Sequence, residues 1–126
     1  MTRPRATERP ANAPHLKFDL AEAFAQLKRE PAWTSHPRSA VTLLKDAGMR
    51  VVLVGIHKDA AIEPHKAEGP ISVHLLSGAI RMTAGGETVS LKPGQVLTLG
   101  AGLEHDVRAD EESAFLLTLG GTSAAR

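Results

Sequence analysis

Apolar and polar residues recur with two different periods along the chain, the first of them helical. In "FDLAEAFAQLKRE", residues 18–30, the apolar positions follow the spacing of one helix face. Asp19 precedes them as a helix cap with Glu22 as its partner three residues on, and Pro31 ends the pattern. The sequence therefore predicts a short amphipathic helix. Its apolar stripe consists of Leu20, Ala23, Phe24 and Leu27.

Beyond about residue 40 the period changes to that of strands, and turn residues recur about every eight to ten positions. This pattern is typical of an all-β sandwich or barrel. Gly85 and Gly86 predict a two-residue type I′ hairpin turn, since both can adopt positive φ. The predicted strands lie near residues 40–46, 49–57, 61–65, 71–78, 79–84, 87–92, 95–100, 105–109 and 113–120.

Two of these strands are apolar at consecutive positions instead of alternating. "RVVLVGI" starts at Arg50 and "SAFLLTL" starts at Ser113. Both faces of such strands are expected to be buried. One face packs inside the barrel, and the other needs a cover that the N-terminal helix supplies in part. A second subunit supplies the rest in this interpretation, which predicts a homodimer.

The length and the distribution of Pro and Gly indicate one folded domain. A chain of 126 residues encloses one hydrophobic core and leaves no room for a second folded module. Residues 1–14 have no periodicity and predict a disordered arm. We assign residues 15–38 to the helix and a linker, 39–120 to the β-barrel and 121–126 to a flexible tail.

Charge and composition exclude several classes of function. Fifteen Lys and Arg are scattered among fourteen Asp and Glu, so the sequence lacks the basic stripe that nucleic-acid binding requires. No apolar run approaches the roughly 20 residues of a membrane span. With no cysteine, disulfides, thiolate zinc sites and cysteine nucleophiles are excluded. We expect a cytoplasmic protein in which any metal is held by nitrogen and oxygen.

The turn glycines and two histidines resemble the two sequence motifs of the cupins. The second cupin motif, G-x5-P-x-G-x2-H-x3-N, is matched in "PGQVLTLGAGLEHDVRA" by Gly94, Gly102 and His105. Gly100 stands in the Pro slot, and Ala109 replaces the final Asn. The resemblance covers residues from about 40 to 119. It implies a double-stranded β-helix, or jelly-roll barrel, with a short N-terminal helix.

The first cupin motif, G-x5-H-x-H-x3,4-E-x6-G, keeps fewer of its metal ligands. In "PHKAEGPISVHLLSG", Gly78 occupies the position of the final Gly and His65 that of the first His. Ala67 then stands in the second-His slot and Ile71 in the Glu slot. Of the four ligands that the resemblance implies, only His65 and His105 remain, and two imidazoles without a carboxylate seldom hold a metal.

The face of His74 decides whether a third histidine can join them. Side chains two apart on a strand share a face, so an inward Ile71 places Val73 and Leu75 inward and His74 outward. A bulge would reverse this assignment. If His74 faces inward, it completes a metal site with His65 and His105. His57 and Glu63 are the other candidate third ligands.

Three functions stay open at this point. In the first, the barrel binds a small organic ligand, which His65 and His105 anchor within apolar walls. In the second, the chain is a dioxygenase, isomerase or decarboxylase of the cupin type that uses one divalent metal (Zn, Ni, Fe or Mn). In the third, the outer face of the barrel binds a structural or regulatory partner. The predicted apolar walls are Val73, Leu75 and Leu97.

Overall fold

The structure is a computed structural model that describes residues 15–121. The predicted disordered arm and residues 122–126 of the predicted tail lie outside the described residues. Two helices precede nine strands. In chain order these are α1 (Leu20–Arg29), α2 (Pro31–Ser35), β1 (Arg38–Asp46), β2 (Met49–Ile56), β3 (Ala61–His65), β4 (Ile71–Ser77), β5 (Ile80–Ala84), β6 (Glu87–Leu91), β7 (Val96–Leu99), β8 (His105–Ala109) and β9 (Ser113–Gly120).

The strands form two antiparallel sheets. The five-stranded sheet has the order β1-β2-β9-β4-β7, and the four-stranded sheet has the order β3-β8-β5-β6. Alternate residues of both sheets point inward and meet in one apolar cluster. These two sheets confirm the predicted all-β barrel. The buried members of the cluster, which we call the barrel core, are Val52, Val54, Ile56, Ile71, Val73, Leu75, Ile80, Met82, Leu91, Leu99, Val107, Ala109 and Phe115.

The predicted strands agree with those of the structure within two residues at each end. For β3, β8 and β9 the predicted and observed bounds are the same. Gly85 and Gly86 have φ of 58° and 80°, which confirms the two-residue turn of positive φ between β5 and β6.

The N-terminal helix begins at its predicted cap. The Oδ1 atom of Asp19 accepts a hydrogen bond from the backbone N–H of Glu22 at 3.0 Å. Pro31 follows the end of α1 but also begins α2, a helix that the sequence did not predict. Proline suits a first helical position, because the N–H that it lacks has no partner there. Within residues 15–121, neither helix is long and apolar enough to cross a membrane.

The two helices cover part of the outer face of the five-stranded sheet. Leu27 of α1 and Trp33 of α2 are buried against Leu53 of β2. Gly55 permits this close approach, since a Cβ atom there would lie 2.8 Å from Cε1 of Phe24 and 3.1 Å from Cζ3 of Trp33. The predicted role of α1 as a cover of this sheet is therefore confirmed. The second subunit stays a prediction.

Candidate functional site

The barrel has two ends, and the loops at each end are tied together by backbone hydrogen bonds. At one end, Gly102 N–H donates to the carbonyl of Ala67 at 3.0 Å, and Gly120 N–H donates to that of Pro70 at 2.9 Å. The end of β3, the start of β4 and the start of β8 meet here. We call it the histidine end, after His65 and His105. The opposite end, where β4 passes into β5 and β9 starts at Ser113, is the serine end.

A β-bulge brings His65 and His105 together. On β3 and β8, Ile62 pairs with Val107 and His65 pairs with His105. Three steps along β3 therefore match two steps along β8, and the extra residue lies at 63–64. Because of this extra residue, His65 faces its partner on β8 although it is an odd number of residues from Ile62. The two ring centroids are 4.3 Å apart, with an angle of 62° between the rings.

The hydrogen bonds of the two rings define their tautomers. Nδ1 of His65 lies 2.9 Å from the carbonyl oxygen of Glu63, and Nδ1 of His105 lies 3.0 Å from that of Leu103. A carbonyl oxygen only accepts, so both Nδ1 atoms carry the proton. In the neutral ring each Nε2 then has a free lone pair. Each imidazole can accept a hydrogen bond or bind a metal through this atom.

The pair extends from the core to the surface. His105 is 4% exposed and shares the inner face of β8 with Val107 and Ala109 of the barrel core. His65 is exposed at the rim. His65 is thus accessible to solvent, and His105 lies beside it in the interior.

The two motif positions that lack a metal ligand, residues 67 and 71, lie in apolar surroundings in the structure. Ile71 is 5% exposed and belongs to the barrel core, and Ala67 packs against that core. Within residues 15–121, no group of three or more His, Cys, Asp or Glu side chains is arranged to hold a metal ion. The residues at the histidine end thus supply two of the ligands that a metal needs and do not fit a complete metal site.

His74 lies on the other side of the five-stranded sheet from the histidine pair. Its neighbours in β4, Val73 and Leu75, belong to the barrel core, so His74 faces outward. Its partner on β9 is Leu116, which packs under the helices. The hypothesis of a three-histidine site that includes His74 is therefore wrong, and the outward orientation that strand alternation predicts agrees with the structure.

The other two candidate third ligands also lie apart from the pair. His57 follows β2 at the serine end, where its Nε2 is 2.6 Å from the carbonyl oxygen of Trp33. Its ring stacks on Trp33 with 3.7 Å between centroids. Glu63 is exposed and lines a groove on the outer face of the four-stranded sheet. Neither side chain is grouped with His65 and His105 as a metal site.

The predicted apolar walls belong to the interior of the barrel. Val73 and Leu75 are 1% and 0% exposed in the barrel core, and Leu97 packs against it. Along β4, Ile71 comes first and lies at the histidine end, with Val73 and Leu75 progressively farther away. The roles of Val73, Leu75 and Leu97 in ligand binding stay predictions.

The outer face of the four-stranded sheet carries a polar groove of about 200 Å³ that the sequence did not indicate. Several of its polar side chains bond within the protein. Asp106 Oδ1 accepts from Thr83 N–H at 3.1 Å, and the hydroxyls of Thr83 and Thr88 are 2.9 Å apart. Arg81 is bound by Asp110, at 2.9 to 3.1 Å. Arg81, Thr83, Thr88 and Asp106 of this lining therefore already have partners within the protein.

Solved structures with the same fold span several kinds of protein. A protein of unknown function from Streptococcus pyogenes is 25% identical, with a TM-score of 0.72 over 90% of this chain and 94% of that one. A cupin-2 domain protein from Shewanella frigidimarina is 13% identical, with a TM-score of 0.66 over 82% and 93%. Salicylate 1,2-dioxygenase from Pseudoaminobacter salicylatoxidans is 11% identical, with a TM-score of 0.73 over 82% and 34%. The last two likenesses concern the fold alone.

Comparison at the level of families gives one match. No curated protein matches the sequence. The family model described as "Cupin domain" matches residues 52–119, which include most of β2, all of β3 to β8, most of β9 and both histidines of the pair. The chain therefore belongs to the cupin family.

Proposed function

We propose that this cupin binds a small organic molecule at the histidine end of its barrel, with His65 and His105 as polar anchors. One observation carries the proposal. Both Nδ1 atoms donate to backbone carbonyls, which orients the rings and leaves both Nε2 lone pairs for a ligand.

The surroundings of the pair favour binding over chemistry. Ile71 and Ala67 are apolar where cupin metal ligands would stand, and within residues 15–121 no third acidic or imidazole group completes a metal site. An apolar wall with two hydrogen-bond acceptors can position a partly hydrophobic molecule. It supplies no preorganised charge to stabilise a transition state.

A thermal-shift screen of small organic compounds tests the proposal. The experiment uses the wild-type protein, the double variant His65→Ala/His105→Ala and the single variant His74→Ala. His74 is a matched control, because it lies on the outer face of the barrel. We expect some compounds to raise the melting temperatures of the wild type and of His74→Ala. The same compounds should leave the melting temperature of the double variant unchanged.

Two results of this screen would contradict the proposal. In one, no compound stabilises the wild type. In the other, compounds stabilise the double variant as much as the wild type, which would place binding away from the histidine end. The near-ultraviolet circular dichroism of the double variant checks that it is folded.

A metal-dependent enzyme is the second candidate, and the two Nε2 lone pairs favour it. His65 and His105 would hold the ion, which would supply Lewis acidity, while water or substrate would complete its coordination. Elemental analysis of protein purified without an affinity tag tests this function. About one equivalent of metal that is lost in both His65→Ala and His105→Ala would support it. Metal-free protein that stays folded and binds compounds from the screen would exclude it.

A homodimer is part of the proposal, and exposed apolar side chains support it. Val96 and Met49 are 53% and 45% exposed. Val96 pairs with the outward His74 on the edge of the five-stranded sheet, beside the area that the helices cover. Light scattering after size exclusion tests the dimer. The expected mass is twice the 13.4 kDa of the chain, and the mass of a single chain would contradict it.

A further inference from the structure

One arginine shares the inner face of the five-stranded sheet with the barrel core. Alternation along β2 places Arg50 on the same face as Val52 and Val54, both of which belong to that core. Arg50 pairs with Leu119 of β9, and Leu119 pairs with Ile71 of β4. These residues form one row across the sheet. Arg50 therefore lies in the row of Ile71, the residue in the Glu slot of the cupin motif.

Arg50 and His65 lie at the same end of the barrel, as the directions of β2 and β3 show. β2 starts at the histidine end beside Gly48, whose carbonyl accepts from Gly121 N–H at 3.1 Å. β2 then runs to the serine end and passes through residues 57–60 into β3, which returns to the histidine end at His65. The start of β2 and the end of β3 thus lie at the same end of the two sheets, which in sandwiches lie about 10 Å apart.

The guanidinium of Arg50 has unused hydrogen-bonding capacity. Its Nε is buried and has no hydrogen-bond partner among residues 15–121. Arg81 shows the usual arrangement, since Asp110 bonds both its Nε and one terminal nitrogen, and the hydrogen bond and the charge of Asp110 raise the pKa of Arg81. A buried donor without a partner is costly and rare, so an unexplained one points to a missing acceptor.

We propose that Arg50 binds the carboxylate of the ligand, and that the ligand is a small hydroxy acid with an apolar middle. This inference rests on the proposed binding function and specifies its ligand. One polar end of the ligand must accept hydrogen bonds, and the other must donate them. The Nε–H of Arg50 donates and calls for an anionic acceptor, whereas each neutral Nε2 of His65 and His105 accepts and calls for a hydroxyl donor.

The apolar residues next to Arg50 determine the middle of the molecule. Leu119 and Ile71 continue its row across the five-stranded sheet, with Ile71 in the barrel core and Leu119 packed against it. An aromatic ring or short alkyl chain fits next to such side chains, with its carboxylate toward β2 and its hydroxyl toward the histidines. A divalent cation does not suit this row, because the row carries a positive guanidinium at Arg50 and the apolar Ile71 where cupin motifs supply a carboxylate.

Titrations with matched compounds test the proposal. The probes are 3- and 4-hydroxybenzoate, each compared with its hydroxybenzamide, which loses the charge, and with benzoate, which loses the hydroxyl. Binding is followed by ¹H–¹⁵N NMR, including the imidazole signals of His65 and His105. A charged hydrogen bond is strong enough that we expect the amides to bind about ten times more weakly than the acids, or worse. Loss of the hydroxyl is expected to weaken binding by a smaller factor.

Variants of two arginines test which residue causes the preference for the acid over the amide. Arg50→Gln is expected to remove it, so that acid and amide bind alike, while Arg50→Lys keeps part of it through the remaining charge. Arg108→Gln is the matched control, because it makes the same change on the outer face of the four-stranded sheet and should leave the preference intact. The amide NMR spectrum shows whether each variant is folded.

The outcomes separate this inference from the proposed function. If acids and amides bind the wild type equally and both move the signals of His65 and His105, the histidine end binds small molecules but the carboxylate assignment is wrong. A preference for acids that persists in Arg50→Gln also overturns it. If neither acids nor amides move those signals, the inference fails, whereas the proposed function fails only if the thermal-shift screen is negative as well.

Discussion

The two ends of the barrel differ in which atoms of their polar side chains bond to the protein. At the serine end, these groups bond to the protein itself. Ser113 is 0% exposed, and its hydroxyl accepts from Ala79 N–H at 3.0 Å and donates to the carbonyl of Glu111 at 2.7 Å. His57 links the end of β2 to α2 through a hydrogen bond from its Nε2 to the carbonyl oxygen of Trp33. Polar groups at this end stabilise the fold.

At the histidine end, polar groups keep capacity that the fold does not use. His65 and His105 use only Nδ1, and the buried Nε of Arg50 has no partner among residues 15–121. The comparison teaches that residue type alone does not show which nitrogen of a histidine is left for a ligand. His57 and His105 differ in which ring nitrogen the backbone occupies. Natural proteins tolerate such unsatisfied groups mainly where function requires them.

The largest expected effect belongs to Gly78→Ala at the serine end. Gly78 has a φ of 90°, and a Cβ atom there would lie 2.2 Å from Oγ of Ser113. Backbone strain and overlap together should lower the free energy of unfolding by about 3 to 5 kcal/mol. Urea denaturation followed by circular dichroism measures this change.

Gly94→Ala is the matched control for that variant. Gly94 has the same φ of 90°, but a Cβ atom there would meet nothing within 4 Å. Only backbone strain remains, which should cost about 1 to 2 kcal/mol. Equal losses in the two variants would show that close contact with Ser113 contributes nothing at the serine end.

His57→Ala should have an intermediate effect. The variant removes the stack on Trp33 and the hydrogen bond to its carbonyl, which together should cost about 2 kcal/mol of unfolding free energy. Binding of 4-hydroxybenzoate should not change. His15→Ala, at an exposed position, is the control and should stay within about 0.5 kcal/mol of the wild type. A loss of binding in His57→Ala would contradict the division between the two ends.

Arg50→Met should give the smallest change, and in the opposite direction. It removes a buried donor without a partner and keeps an apolar stem, so ligand-free protein should become more stable by about 0.5 to 1 kcal/mol. Urea denaturation in a buffer free of carboxylates measures this gain. A loss of more than about 1 kcal/mol would instead indicate that the guanidinium stabilises the fold.

Much of the fold follows from the sequence because its signals are local. Alternation and turn glycines predict the nine strands, and Asp19 with Pro31 predicts the bounds of α1. α2 was missed because its five residues are too few to show a helical period, and Pro31 both ends one helix and begins the next.

The candidate site was predicted only in part because it depends on pairing between strands. The cupin motifs identify His65 and His105, and strand alternation predicts an outward His74. The bulge at 63–64, which places the two histidines opposite each other, is defined by the register between β3 and β8. Arg50 begins an apolar run without alternation, so only the burial of Val52 and Val54 in the barrel core shows that its side chain faces inward.

The tautomers of three histidines test the difference between the two ends most directly. Long-range ¹H–¹⁵N NMR, at an alkaline pH where imidazole is neutral, should find the proton on Nδ1 in His65 and His105 and on Nε2 in His57. Addition of 4-hydroxybenzoate should move the Nε2 signals of His65 and His105 and leave those of His57 in place. A proton on Nε2 of His65 or His105 in the free protein, or equal shifts at all three rings, would contradict this account.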